Sequence, residues 1–317
     1  MIEASHELVL FYNVENLFSP VEKIKINSKD QFGSPKKWGE WRYKNKLEKI
    51  THVFRLIEKE RGVLPMMIGL AEVNSDKVLQ DLIEMQPFEG RYGFVHYDSL
   101  DERGVDTALL YDKTKIKLID SEALSFIFEI ENNRENVDTT RDVLHCRVEY
   151  QGEAMHVFVL HLPSKREQDI NRPKRDYILR SINEKIAEIV QREETVIVCG
   201  DFNENPGAEN MNFLLFSNGV DKILENPYVE LYKNRMFSTF HHKQGLLFDQ
   251  IILSQDFYTL SSVLEFKEAG VFSHESMKSK DKKFLGRPFR TYAGTRYLGG
   301  YSDHYPVFVE FKKRNNK

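Results

Sequence analysis

Residues 91–97, 106–111, 143–150 and 155–162 form four apolar, β-branched segments with no amphipathic helix between them. A meander or hairpin series of that kind is incompatible with strict βαβ winding. Outside it the pattern changes. Strands expected at residues 7–13, 66–73, 195–199, 249–253 and 305–311 are interrupted by helical periodicity. Leu47, Ile50, Val53, Phe54 and Ile57 recur at helical spacing within residues 43–60, and Ile178, Leu179, Ile182, Ile186, Ile189 and Val190 do so within residues 176–192. A third helical stretch is expected at residues 208–218, after the turn residues Asn205, Pro206 and Gly207. The combination predicts an α/β protein built as a mixed sandwich, not a doubly wound sheet. A length of 317 residues is compatible with one domain or two.

Composition narrows the function classes. The formal net charge is −4, so no bulk field draws the chain to nucleic acid or anionic lipid, and any anionic ligand must be held by a local patch. Cys146 and Cys199 each lie in an apolar run (VLHCRV and TVIVCGDF), the setting of a small buried thiol and not of a disulfide framework or a metal knuckle. No apolar run approaches the ~18 residues of a membrane span. The start, MIEASHELVL, has acidic Glu3 and Glu7 where an export signal needs a basic lead, so the expected compartment is cytoplasmic.

Polar residues gather at the ends of the predicted strands, where side chains from separate strands converge on one sheet edge. Asn13 follows the strand LVLFY; taken alone, it is a turn former. Glu72 lies inside the apolar run MMIGLAEV, where a carboxylate needs a cation or hydrogen bonds, and a salt bridge accounts for it as well as a metal does. His161 ends VFVLH, and by itself is read as a satisfied core histidine. TVIVCGDFNENP is more specific. In a strand Asp201 and Asn203 point to one face, and so deliver a carboxylate and an amide together to one small volume. Asp303 and His304 precede the last strand. Hard oxygen donors such as Glu72, Asp303 and Asn13 suit Mg²⁺ or Mn²⁺ better than Zn²⁺. His161, His304 and Asn203 supply donors for charge developing on a phosphoryl group, and Asp201 is left as a base for water. No serine occupies a Gly-x-Ser-x-Gly turn, which argues against a serine triad.

The segments NVENLF, GLAEV, LHLPSKR, GDFNENP, LFDQIILS and SDHYPV, in this order, resemble the motifs of the endonuclease/exonuclease/phosphatase superfamily, over residues 8–311. The chain also looks like a bacterial branch in which NVENLF and a long RT…GGYSDH segment recur, a segment that here includes Arg290, Thr291, Gly299 and Gly300. The resemblance implies one domain over residues 1–317: a four-layered α/β sandwich of two packed mixed β-sheets flanked by helices, of the pancreatic-deoxyribonuclease type. It implies Glu72 as principal metal ligand, assisted by Asn13 and Asp303, with Mg²⁺ or Mn²⁺ as cofactor. Asp201 would activate water, Asn203 would position it, and His304, oriented by Asp249, would stabilise the transition state. His161 falls where some members protonate the leaving oxygen. Arg103 and Asp106 lie where members place residues beside the site, with Asp106 a candidate partner of His161, and Arg141 resembles a position near the scissile phosphate.

The substrate must be read from the surrounding loops. Lys165, Arg166, Arg172, Lys174, Arg175 and Arg180 form one expected basic rim; Lys278, Lys280, Lys282, Lys283, Arg287 and Arg290 form another. Phe289, Tyr292, Tyr297 and Tyr301 are candidates for stacking on bases or sugars. The partner expected first is a nucleic-acid phosphodiester, DNA included; the alternatives are a small-molecule or lipid phosphoester, and a catalytically silent scaffold. No protein partner is implied.

Overall fold

The computed structural model describes residues 6–20, 37–101, 103–130, 133–165 and 167–314. Twelve strands build two six-stranded sheets: β1 (His6–Leu17), β2 (Met67–Val73), β3 (Tyr92–His96), β4 (Asp106–Asp112), β5 (Ile116–Leu124), β6 (Val143–Tyr150), β7 (Glu153–His161), β8 (Thr195–Asp201), β9 (Leu224–Glu225), β10 (Asp249–Ser254), β11 (Leu264–Val271) and β12 (Val307–Lys313). The first sheet has the order β11-β12-β1-β2-β4-β3, the second β9-β10-β8-β7-β6-β5. Each sheet contains one parallel pair, β1 with β2 and β7 with β8, and is otherwise antiparallel. A parallel pair needs a crossover, and helices provide it: α1 (Glu40–Arg61) lies between β1 and β2, and α3 (Arg172–Gln191) between β7 and β8. A shorter helix, α2 (Asp76–Ile83), follows β2.

The side-chain alternation in β7 and β8 shows the layering directly. Val157, Val159, Ile197 and Cys199 face the core shared with β1, β2 and α1, whereas Phe158, Leu160, Val196 and Val198 pack with Ile178, Leu179, Ile182 and Ile186 of α3. Strands buried on both faces must be apolar at consecutive positions, which is why TVIVC and HVFVL do not alternate with polar residues. This is the four-layered sandwich expected from the sequence. The sheets approach closely where Gly69 meets Cys199: a Cβ on Gly69 would sit 2.7 Å from the Cys199 sulfur. Both cysteines are buried and free. Burial pushes the Cys146 thiol up to about 12 and Cys199 higher still, so neither is a nucleophile at neutral pH.

The nine expected strands form, with ends shifted by a few residues. Three edge strands were not legible, the two-residue β9 among them. β5 (IKLIDSEAL) is half-exposed and charged, and β11 (LEFKEAGV) carries little apolar pattern, because an edge strand buries only part of its surface. The helix expected at residues 208–218 is reduced to a 3₁₀ turn, Glu209–Met211, and one turn of α-helix, Asn212–Leu215, before Phe216–Ser217 pairs as strand. Among the described residues no helix is long and apolar enough to cross a membrane.

Candidate active site at the sheet edge

Register explains how residues distant in sequence meet. Asp201, last in β8, pairs with His161 of β7 on one side and Asp249 of β10 on the other, so three polar side chains stand in one row across the second sheet. Directly paired residues project to the same face. Gly200 makes the row possible, since a Cβ there would lie 2.3 Å from the Leu160 carbonyl oxygen. From the first sheet, β1 delivers Asn13 opposite Ala71 of β2, one residue before Glu72. Both strands are irregular at this point: β1 shifts register between Asn13 and Leu17, and β2 shifts against β4 between Ala71 and Val73. Glu15, Asn16 and Glu72 have positive φ (52°, 54° and 65°), backbone strain that turns the strand ends toward the site.

Asp201 is the hub. Its Oδ2 accepts from Asn13 Nδ2 at 3.2 Å and lies 3.6 Å from His161 Nε2 and 3.9 Å from His304 Nε2. Burial and the nearby Asp249 push its carboxyl up to about 6. Asn203 is not delivered by strand alternation. The strand stops at Asp201, Asn203 has φ 49°, its N–H donates to Asp201 Oδ1 at 3.0 Å, and its side chain donates to the Leu162 carbonyl at 2.9 Å. An Asx turn, not a pleat, sets this pair, because Asp can hydrogen-bond its own backbone two residues on.

His304 Nδ1 meets Asp249 Oδ2 at 2.7 Å. Burial opposes charge on this ring, but Asp249, Asp201 and Asp303 prevail and raise it well above the ordinary histidine range. The Asp249 carboxylate also accepts from the Ser238 hydroxyl. His161 is the opposite case. Burial, with Arg141, Arg103 and His304 nearby, lowers it well below that range, so it is neutral at neutral pH. The expected partnership of His161 with Asp106 does not form: Asp106 accepts from the Ser99 N–H at 3.1 Å and lies 3.5 Å from His96 Nε2, because β4 pairs within the other sheet.

Glu72 Oε2 accepts from the Asn16 N–H at 2.9 Å, and Oε1 accepts from Arg103 Nη2 at 3.2 Å. Burial would raise this carboxyl, yet Arg103, Arg141 and His304 together hold it below the usual range. Asp303 accepts from Arg290 Nη2 at 2.8 Å and lies 4.0 Å from His304 Nε2. Arg141 is buried, and it donates to the carbonyls of His161 (3.0 Å) and Leu162 (3.2 Å) and to Asp101 (3.3 Å). It braces the strand end and does not project into open space.

Arg175 departs further from its expected role at a substrate rim. It is 0% exposed, donating to Glu204 at 2.7 Å and 3.0 Å, to Asp169 at 2.5 Å and to the Pro163 carbonyl at 3.1 Å. As a helix residue facing the core it is a buried ion pair, a distinction that charge counting along the sequence cannot make. Lys165 pairs with the same Glu204 at 2.5 Å, and Lys174 pairs with Asp138. Arg166 lies outside the described residues. The aromatic candidates also turn inward. Tyr301 is buried with its hydroxyl 2.9 Å from His52 Nδ1, Phe289 packs on the core, and Tyr292 and Tyr297 lie 5.3 Å apart beside Trp38 and Trp41. Trp41 is 70% exposed.

Several supporting residues escaped the sequence reading. Glu15 is buried, receives the N–H groups of Thr291 (2.6 Å) and Tyr292 (3.2 Å), and is pushed up to about 7 by burial and Asp303. Lys46 of α1, also buried, donates to Thr291 Oγ1 at 2.6 Å and to the Tyr301 carbonyl at 2.5 Å. Together they hold the loop carrying Asp303 against β1. The signal for Glu15 was its place in NVENLF; Lys46, one lysine on a charged helix, gave none.

The donor set fits a hard divalent cation. Glu72 and Asp303 offer carboxylates and Asn13 an amide oxygen, and arginines already balance the two charges. His161 Nδ1, Asp249 Oδ1 and Arg103 Nε are buried without a hydrogen-bond partner, an unusual concentration of unmet polar atoms. Asp201, Asp249 and His304 also bring ligand-type atoms within 4.8 Å of one another. Because the Asp249–His304 contact favours the imidazolium, which has no lone pair to give, that trio reads as a hydrogen-bonded charge relay and not as the metal cage.

A two-sheet sandwich with carboxylate, amide and imidazole converging at one edge defines a phosphoester hydrolase. The chain belongs to the Endonuclease/Exonuclease/phosphatase family, whose model matches residues 8–313. No curated protein matches the sequence. Among solved structures, TDP2 of D. rerio complexed with a single-strand DNA product is 16% identical with a TM-score of 0.62, covering 98% of this chain and 100% of that one. A family protein from Bacteroides thetaiotaomicron is 17% identical (TM-score 0.61, 98% of each chain). A mannosyl-6-phosphatase from the same organism is 16% identical (TM-score 0.58, 96% of this chain and 99% of that one). At these identities the likeness is one of fold.

Proposed function

We propose that this chain hydrolyses a phosphoester by in-line attack of water, with Asp201 as the group that orients and deprotonates the nucleophile. The observation that carries the reading is the convergence on Asp201 Oδ2 of Asn13, His161 and His304. Asn13, Glu72 and Asp303 would hold Mg²⁺ or Mn²⁺, which supplies polarisation of a phosphoryl oxygen and stabilisation of the leaving oxygen. The protein's own share is placement and charge. His304, kept cationic by Asp249, donates from Nε2 to a non-bridging oxygen. Asn203 holds the turn that fixes Asp201. His161, being neutral, serves as a hydrogen-bond donor beside Asp201 and not as the acid for the leaving group. One sheet supplies Asn13 and Glu72 and the other His161, Asp201 and Asp249, so residues 1–317 act as one catalytic domain.

For the substrate we favour a compact phosphoester over a long duplex. Lys165, Lys174 and Arg175 spend their charge on Glu204, Asp138 and Asp169, which leaves the first basic rim largely neutralised. Exposed Trp41, edge-on to Tyr297, supports a second reading in which a nucleotide stacks at the site's margin and the bond cleaved is a nucleic-acid phosphodiester. The test is hydrolysis by the purified protein with Mg²⁺ or Mn²⁺, using sugar phosphates, nucleotides, single-stranded oligonucleotides and supercoiled plasmid, with EDTA and Asp201→Ala controls. Metal-dependent release of phosphate from small esters, abolished in Asp201→Ala, is expected. Nicking of plasmid at comparable efficiency would move the assignment to the second reading, and activity surviving in Asp201→Ala would refute the site.

A further inference from the structure

A second cluster of ligand-type groups lies apart from the catalytic row. His96 ends β3, Asp106 opens β4, and Asp98 sits in the loop between them; one ligand atom from each lies within 4.8 Å of the other two. The histidine is arranged as metal-binding histidines are. Its Nδ1 is engaged by Asp76 Oδ1 at 2.8 Å, which fixes the ring's orientation and, with the proton on Nδ1, leaves the Nε2 lone pair free. The His96 side chain is 1% exposed, and Nε2 has no hydrogen-bond partner although it points at Asp106 Oδ2, 3.5 Å away. Asp106 is itself held: its other oxygen, Oδ1, accepts the Ser99 N–H at 3.1 Å. Among the described residues no Lys or Arg forms an ion pair with Asp98 or Asp106. A buried, oriented imidazole nitrogen without a hydrogen-bond partner, 3.5 Å from an Asp106 oxygen that no Lys or Arg pairs with, is costly unless a proton or a metal ion sits between the two.

From this geometry we infer that His96, Asp98 and Asp106 form a second divalent-metal site, separate from Glu72, that takes borderline transition ions such as Zn²⁺. One nitrogen and two carboxylates match the ligand preferences of those ions, whereas Mg²⁺ and Ca²⁺ seek all-oxygen shells. Protein ligands from three positions leave the remaining coordination to water. The site's consequence is positional. The loop that starts at His96 and closes at Asp106 carries Asp101, which accepts from Arg141, and Arg103, which donates to Glu72. An ion joining the loop's two ends fixes both of these contacts to the catalytic edge.

The alternative for the same residues is a metal-free salt bridge, with a protonated His96 shared between Asp76 and Asp106. The experiment separates the two and also separates this inference from the catalytic assignment. The full chain, stripped with EDTA and dialysed, is titrated calorimetrically with Zn²⁺ and with Mn²⁺, and its thermal midpoint is followed in parallel. Glu72→Gln removes a proposed catalytic ligand, His96→Gln and Asp98→Asn remove ligands of the second site, and each is made alone and in the Glu72→Gln background. Asp98 is exposed, so Asp98→Asn tests the site without risk to folding. Expected is a Zn²⁺ equivalent that survives in Glu72→Gln and raises its midpoint, and that weakens at least about tenfold on adding His96→Gln or Asp98→Asn, since even removal of a supporting partner costs that much. Glu72→Gln protein that takes up no Zn²⁺ overturns the proposal. So does Zn²⁺ uptake unchanged by His96→Gln and Asp98→Asn; in either case the metal-free bridge stands, and the catalytic assignment is untouched.

Discussion

Replacing Asp249 with asparagine isolates what the Asp249–His304 contact contributes to turnover. The bond is 2.7 Å long, and Asp249 is fully buried. A hydrogen bond to a charged group contributes about 1.5–3 kcal/mol net, and each ~1.4 kcal/mol is a tenfold change in rate. If the interaction matters only once charge develops on the phosphoryl group, Asp249→Asn should lower kcat by about 10- to 150-fold and leave KM nearly unchanged. Stability should fall too, for a separate reason. Asp249 Oδ1 has no hydrogen-bond partner, so an amide nitrogen placed there is a buried donor with nothing to bind, at a cost of about 1–3 kcal/mol. Steady-state kinetics on a small phosphoester, with denaturant melts of the same preparation, measure both. A variant that melts lower but keeps the wild-type kcat would show that Asp249 is structural and that His304 needs no orienting carboxylate.

Three other outcomes follow from residues with contrasting surroundings. Arg175→Met leaves Glu204 with Lys165 and Asn210 as its remaining side-chain partners and should cost about 3–5 kcal/mol in a urea melt, as breaking a buried ion pair does, with KM of the folded enzyme unchanged; a raised KM with normal stability would restore it to a substrate-binding role. Gly200→Ala forces a Cβ to within 2.3 Å of the Leu160 carbonyl oxygen, a backbone atom that cannot rotate away, and should destabilise the protein by about 1–3 kcal/mol while displacing Asp201 enough to reduce activity; unchanged melting would show that β7 and β8 separate freely. The chain Glu122–His145–His156–Glu194, buried at its two histidines, predicts acid sensitivity, because burial lowers both histidines below their ordinary value of 6.5. A depressed folded-state value means that protonation favours unfolding, so this stability is complete above pH 6.5 and is lost as pH falls through the lower, folded-state values. Thermal midpoints from pH 7.5 down to 5 should fall less steeply in the His145→Gln/His156→Gln double variant, and identical slopes would dismiss the pair as the cause.

The sequence by itself determined the strand-rich layout and the chemical inventory. Runs such as TVIVC and LVLFY are apolar on consecutive residues because their strands are buried on both faces, so they are visible without knowledge of neighbours. The order of GLAEV, GDFNENP and SDHYPV likewise named Glu72, Asp201, Asp303 and His304 as candidates, since polar residues at the ends of apolar strands stand out in one dimension. Edge strands β5 and β11 were not visible, because partial burial leaves no strong pattern. Only the tertiary structure decided which partners those residues meet. Register places His161, Asp201 and Asp249 in one row, and a turn with φ 49° at Asn203 replaces the expected pleat. Two equally basic residues then separate, Arg175 going to the core and Arg103 to Glu72. The same holds for the two imidazoles of the site, one driven neutral by burial and arginines and the other held charged by three aspartates. Ionisation and pairing are set by distance and dielectric across the fold, and neither quantity exists along the chain.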